Sequence, residues 1–285
     1  MRRLLVAGGF AGLILLGLAL AIAMSSRADN AQAKPSAGAK ANDRSTKNID
    51  PGTGSGIAAM EQASQAGKYL FAFFWKDDSA ETSAAKAVFE SATKQAADRA
   101  QAVQVRVSDP AEKSIVEKFG LDRAPLPLVL AIAPNGAILG GFPQKFTEED
   151  LLNSFGSPCI EQCMKGLQDG NLVLLCVQSK ETAGKDEALK GVREFAADSR
   201  YASATQVVML DPTDPAEHPF LADLQIDPKS PEAVTAFLVP PGSVIAEFKG
   251  ATSKDELIAA LEKASTACGP GGCGPGGCGP APQSR

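Results

Sequence analysis

The chain has one histidine, His218, in 285 residues. Hydroxyls elsewhere in the sequence therefore lack a neighbouring imidazole to act as their base, and a serine or threonine without such a base is a poor nucleophile. Basic residues are also few, with 28 Lys/Arg against 33 Asp/Glu and a net charge of −5. Seven of those Lys/Arg fall in the first 56 residues against three Asp/Glu, which leaves the rest of the chain strongly acidic. An acidic body gives no cationic footprint for nucleic acid. Apolar residues make up 44% and charged residues 21%, a globular composition that excludes a chain disordered throughout.

One long uncharged run is present. Leu4 to Met24 carries no charge and follows Arg2 and Arg3 directly. Twenty-one residues at about 1.5 Å each match a hydrocarbon core of about 30 Å. Residues 1–24 are therefore expected to be a retained single-pass anchor, with the body outside the cytoplasm, in the periplasm. A cleaved signal peptide and a secreted body is the alternative, since Ala19-Leu20-Ala21 and Ala21-Ile22-Ala23 both resemble cleavage sites. Residues 25–56 are rich in Ala, Ser, Lys, Asn, Asp, Gly and Pro and have little to bury, so they read as a flexible linker.

The remainder matches itself at an offset of roughly a hundred residues. Ser79-Ala80-Glu81-Thr82 recurs as Ser179-Lys180-Glu181-Thr182, and Asp109-Pro110-Ala111-Glu112 recurs as Asp214-Pro215-Ala216-Glu217. Ala124-Pro125, an apolar run and Pro134-Asn135-Gly136 recur as Ser230-Pro231, an apolar run and Pro240-Pro241-Gly242. The order never reverses, as expected of two copies, residues 57–156 and 157–266. In the first copy, helix is expected from Gly56 to Gly67 and strand over Tyr69–Trp75. The long helix runs from a cap at Asp78 or Ser79 to about Ala100, followed by strand from Gln101 to Val107. Asp109 caps a helix to about Phe119, and strands at 128–132 and 137–142 lead to a capped helix from Thr147 to Phe155. In the second copy, helices are expected at 160–168, 186–202, 217–224 and 253–265, and strands at 172–177, 205–210, 234–239 and 244–248.

Strand–helix–strand units with a terminal hairpin resemble the thioredoxin-like fold, here as two tandem α/β domains with a βαβαββα core each. That family places a Cys-Gly-Pro-Cys pair where the first strand enters the long helix. The helix N-terminus there lowers the thiol pKa. In this chain Ser79 and Thr82 fall at those positions in the first copy, and Ser179 and Thr182 in the second. A hydroxyl cannot cycle to a disulfide, so the resemblance implies domains without redox chemistry at the usual site. Both serines are expected to cap the long helices. Pro127 sits at the spacing of the family's cis-proline, but the second copy has Ala233 there. Pro125 and Pro231 match each other and are the better candidates for a shared cis bond.

Six cysteines remain to be placed. Cys176 lies in an apolar strand and reads as a buried inert thiol. Cys159 and Cys163 are redox candidates: they lie four apart on one helix face, and Cys159, in a first turn capped by Ser157, is expected to have a lowered pKa. Their spacing could also hold a soft metal, form a strained bridge, or simply pack the helix. Residues 267–285 form a Cys-Gly-Pro-rich tail with Cys268, Cys273 and Cys278 at a five-residue period. Three thiolates could converge on Cu(I) or Zn(II). They could instead cross-link chains in an oxidising compartment, or be low-complexity sequence without selected chemistry.

Together these features point to an exported, membrane-tethered, non-catalytic thioredoxin-like binding or scaffold protein with an unidentified protein partner and no nucleic acid. The alternative is a thiol–disulfide oxidoreductase, or thiol-transfer protein, that uses Cys159, Cys163 and the tail.

Overall fold

The computed structural model describes residues 2–3 and 55–267. The expected anchor over Leu4–Met24, most of the linker and Cys268, Cys273 and Cys278 lie outside the described residues. Among the described residues no helix is long and apolar enough to cross a membrane.

The run Tyr69–Trp75 forms the central strand β2 of the first domain. The short strand Arg2–Arg3 is β1. Helix α1 (Ser55–Gln65) precedes β2, and α2 (Ala80–Gln95) follows it. The chain continues through β3 (Ala100–Arg106), a 3-10 turn at Pro110–Glu112 and α3 (Lys113–Lys118). The hairpin β4 (Leu128–Ile132) and β5 (Ile138–Pro143) leads to α4 (Glu148–Leu152). The sheet order is β3-β2-β4-β5, with β2 and β3 parallel and the other pairs antiparallel.

The apolar run is continuous because β2 is covered on both faces. Tyr69, Phe71 and Phe73 face α2 and α4, packing with Phe89, Ala92 and Leu151. Leu70, Ala72 and Phe74 face α1 and α3, packing with Ala63, Ile115 and Val116. The two-residue period of a strand thus divides one apolar segment between two cores.

The second domain repeats the plan. It consists of α5 (Pro158–Gln168), β6 (Leu172–Val177), α6 (Lys185–Ala196), β7 (Thr205–Leu210), α7 (His218–Leu224), β8 (Val234–Val239), β9 (Ser243–Lys249) and α8 (Lys254–Ala267). Strand order is β1-β9-β8-β6-β7, with β1 antiparallel to β9. Val173, Leu175 and Val177 pack under α5 and α7; Leu174 and Cys176 pack under α6 and α8. Both domains are thioredoxin-like: a mixed sheet of four core strands with helices on both faces.

Four sequence expectations are corrected. Helix α2 ends at Gln95, not near Ala100, because Ala100 pairs with Tyr69 in the parallel ladder. Helix α6 ends at Ala196, not Ala202. The Asp198 carboxylate there takes the Arg200 N–H at 3.0 Å and turns the chain. Ser179 does not cap the second long helix, which starts at Lys185 behind Gly184 in the left-handed region (φ 70°). Finally, the cis bonds are Leu126–Pro127 and Pro240–Pro241, not those at Pro125 and Pro231. The Pro127 carbonyl accepts from Gln144 N–H at 2.6 Å and the Ala233 carbonyl accepts from Gly250 N–H at 2.8 Å, so the two residues fill one register slot. A non-prolyl bond is held trans by several kcal/mol, so that slot in the second domain stays trans.

Candidate functional site

The β2–α2 junction is where a thioredoxin-like domain would carry its thiols. Ser79 is the N-cap of α2: its hydroxyl accepts from the Thr82 N–H at 3.2 Å and donates to Thr82 Oγ1 at 3.2 Å. Thr82 is buried, so its hydroxyl is committed to Ser79. Asp77 accepts from the Ser79 N–H at 3.3 Å, fixing the approach to the helix.

The β6–α6 junction reaches the same pairing by another route. Thr182 Oγ1 accepts from the Ser179 N–H at 2.9 Å and lies 3.1 Å from the Ser179 hydroxyl, which in turn accepts from the Glu181 N–H at 3.3 Å. The segment then pairs like a short parallel strand with the residues before β8. Ala183 N–H donates to the Pro231 carbonyl at 2.9 Å, and Ala233 N–H donates to the Ala183 carbonyl at 3.0 Å. Each junction therefore closes on a serine–threonine hydroxyl pair. The sole histidine is elsewhere, its Nε2 at 3.2 Å from the Pro212 carbonyl. A hydroxyl pair without a base holds a loop; it neither ionises nor exchanges with a disulfide.

Cys159 and Cys163 share one helix face, as their spacing implies, but that face is the core. Cys159 is buried and Cys163 fully so, among Leu167, Val173, Phe220 and Leu221. The expected lowering of the Cys159 pKa is reversed. Burial, with the Glu217 carboxylate beside it, pushes that thiol up to about 12. The positive end of α5 is already occupied, because Glu217 accepts from the Cys159 N–H at 3.2 Å and from the Ser157 hydroxyl. The Cys159 thiol donates to the Met209 carbonyl at 3.3 Å. Burial raises Cys163 further, and raises Cys176 to about 12. All three are free thiols. Among the described residues no group of three or more His, Cys, Asp or Glu could hold a metal ion.

The recurring Asp-Pro-Ala-Glu motif has a role that spacing alone did not disclose. Glu112 accepts from the Ser55 N–H at 2.9 Å, the Ser55 hydroxyl and the Gly56 N–H at 3.0 Å. It holds the start of α1 as Glu217 holds the start of α5. Asp109 and Asp214 each accept the N–H two residues on at 2.9 Å and so set the turn that aims the glutamate inward. The motif's recurrence was the signal that could have found it.

Sequence reasoning also missed the junction between the domains, built on α5. The Tyr69 hydroxyl accepts from the Gly156 N–H at 2.8 Å and donates to the Glu161 carboxylate. Asn135 Nδ2 donates to the Glu161 carbonyl at 2.9 Å. The Gln168 amide accepts from the Ile138 N–H at 2.9 Å and donates to its carbonyl at 2.7 Å. Met164 packs against the cores of both domains. Burial is the leading cause that raises both Tyr69 and Glu161 above their ordinary pKa values.

No protein-family model matches the chain, and no curated protein matches it. Similar solved structures include the first two thioredoxin domains of Saccharomyces cerevisiae Eps1p, at 12% identity over 76% of this chain and 98% of that one, with a TM-score of 0.27. Human ERp44 is similar at 11% identity over 81% of this chain and 61% of that one, with a TM-score of 0.31. DsbH oxidoreductase is similar at 16% identity over 39% of this chain and 84% of that one, with a TM-score of 0.24. Likenesses of this size carry no inference about activity; the fold follows from the strand orders and helix faces of the two sheets.

Proposed function

We propose that the protein is an exported, membrane-tethered binding or scaffold module, made of two thioredoxin-like domains that do no thiol chemistry at their strand–helix junctions. The observation that carries this reading is the closed hydroxyl pair at both junctions, Ser79 with Thr82 and Ser179 with Thr182. Its partner is another protein, since the acidic body disfavours nucleic acid. Residues 4–24 hold it at the membrane with the body on the periplasmic side. In that tethered form Arg2–Arg3 lie across the bilayer from β9, so the tether and the pairing of β1 with β9 exclude each other. The tail cysteines 268, 273 and 278 add a separate device, a soft-metal site for Cu(I) or Zn(II) or a cross-link.

The test is an insulin-reduction assay on the full chain with dithiothreitol as the electron source. The expected rate is that of dithiothreitol alone. A rate above it, abolished by Ser at 268, 273 and 278, would establish the thiol–disulfide oxidoreductase instead. The tether is checked by alkaline carbonate extraction of native membranes: the protein should stay in the pellet, and release into the supernatant would show a cleaved signal. Metal titration of the reduced chain should give about one Cu(I) or Zn(II) lost in the same tail variant. Equal uptake by both forms would end the metal reading of the tail, and a dithiothreitol-sensitive multimer that the tail variant does not form would assign it to cross-linking.

A further inference from the structure

Helix α5 serves two structures at once. Its inner face carries Cys159 and Cys163 into the core of the second domain. The residues at its start hold the first domain: Gly156 and Glu161 meet Tyr69, and the Glu161 carbonyl meets Asn135. The thiols and the contacts that Gly156 and Glu161 make therefore share the first turn, while Met164 and Gln168 hold the first domain further along α5.

That sharing has a geometric consequence. Residues four apart on an intact helix hold their Cβ atoms about 5–6 Å apart. A disulfide requires about 3.5–4.5 Å. A bridge between Cys159 and Cys163 therefore cannot close on α5 as it stands. The first turn must unwind, and unwinding carries Glu161 away from Tyr69 and Asn135 and the Cys159 N–H away from Glu217.

We propose that Cys159 and Cys163 are a redox latch on the domain junction, reduced when the first turn of α5 is docked on Tyr69 and Asn135 and bridged when that turn lets go. The oxidant is a small-molecule disulfide such as glutathione disulfide. One cysteine, as thiolate, attacks a sulfur of that disulfide, forming a protein–glutathione mixed disulfide and expelling one glutathione thiolate. The second cysteine, deprotonated in turn, attacks the protein sulfur of the mixed disulfide and expels the second thiolate. Two protein thiols are oxidised to one bridge, one glutathione disulfide is reduced to two glutathiones, and the two protons pass to the leaving groups. Burial beside Glu217 keeps the Cys159 thiol protonated in the docked form, so reaction awaits opening of the turn. The coupling is reciprocal: contacts that dock the domains protect the thiols, and bridging the thiols opposes docking. The proposal rests on the two-domain fold and is independent of the binding-module reading.

The experiment exposes the full chain to glutathione disulfide, blocks remaining thiols by alkylation and counts each cysteine by peptide mass spectrometry. The perturbing variants lie in the first domain, where they touch neither thiol. Tyr69→Phe keeps the ring and removes the hydroxyl. Asn135→Asp keeps the bond from Ala137 N–H to its Oδ1 and removes the donor to Glu161. Asn135→Asp should speed bridging of Cys159 to Cys163 roughly fivefold, the effect of one net hydrogen bond, and Tyr69→Phe, which loses two, by more than that. Cys176, buried on the other face of the same sheet, is the internal reference and should keep its parental rate. The bridged parent should also show faster amide exchange at 135–138 and 157–161 than the reduced parent. Equal acceleration of all three thiols would mean global unfolding and overturn the latch. So would bridging of Cys159 or Cys163 only to a tail cysteine, or a Cys159–Cys163 bridge that leaves exchange at 157–161 unchanged.

Discussion

Ser79 and Ser179 occupy matching places in the repeat and do different work. Ser79 caps a helix of sixteen residues, so Ser79→Ala should lower stability by about 1 kcal/mol. Ser179 caps no helix, but its hydroxyl accepts from the Glu181 N–H and meets Thr182, so Ser179→Ala should cost less than Ser79→Ala, about 0.5 kcal/mol. Denaturant midpoints of the two variants check the asymmetry; equal losses would show that the Ser179–Thr182 pair holds its loop as firmly as a helix cap. Asp198 gives a pH test. Its carboxylate is held well below the usual range by hydrogen bonds from the Arg200 side chain, then Lys254 and the Arg200 N–H. A depressed folded pKa means the stabilisation is fully present above the unfolded value of about 3.9 and is lost as pH falls below it. Asp198→Asn should therefore melt below the parent at pH 7, and the gap should narrow on acidification below about pH 4. A gap independent of pH would assign the loss to packing. These roles were hidden in the sequence because a cap depends on where the helix begins, and Gly184 moved that start six residues past Ser179.

At the scale of the element, strands were legible where they lie within apolar runs. Tyr69–Trp75, Leu128–Ile132, Leu172–Val177, Thr205–Leu210 and Val234–Val239 have the bounds that their side chains imply. Helix ends were less legible. Ala96, Ala97 and Ala100 all favour helix, yet the ladder with Tyr69 takes Ala100 into β3, a case of pairing outweighing propensity. Two substitutions test the packing that results. Phe73 is fully buried between the sheet and α2, 5.3 Å from the Phe89 ring, so Phe73→Ala should cost about 3–5 kcal/mol. Gly191 lets α6 touch the loop before α8: a Cβ there would sit 1.7 Å from the Thr252 carbonyl oxygen, which is backbone. Gly191→Ala should cost about 1–3 kcal/mol in spite of the better helix propensity of alanine. Chemical denaturation measures both, and a stabilised Gly191→Ala would show that the loop yields freely.

The molecule as a whole is two copies of one plan joined through α5. The duplication was readable from recurring motifs, and the twin glutamates Glu112 and Glu217 show why one of those motifs recurs. The junction was not readable, because Tyr69 meets Gly156 and Glu161 across 87 and 92 residues of sequence. The candidate sites divide in the same way. That the strand–helix junctions hold hydroxyls follows from the sequence, whereas the burial of Cys159 and Cys163 depends on which face of α5 turns inward. One contact at this junction reaches beyond joining the domains. Strand β5 has a neighbour in its own sheet on one side only, and Gln168 fills part of the open side with an amide that takes and gives the same two hydrogen bonds as an added strand. The second domain thus covers the β5 edge at Ile138, where a strand of another molecule could otherwise pair. The first domain produced alone should therefore aggregate in proportion to its concentration, under conditions where the full chain remains dispersed.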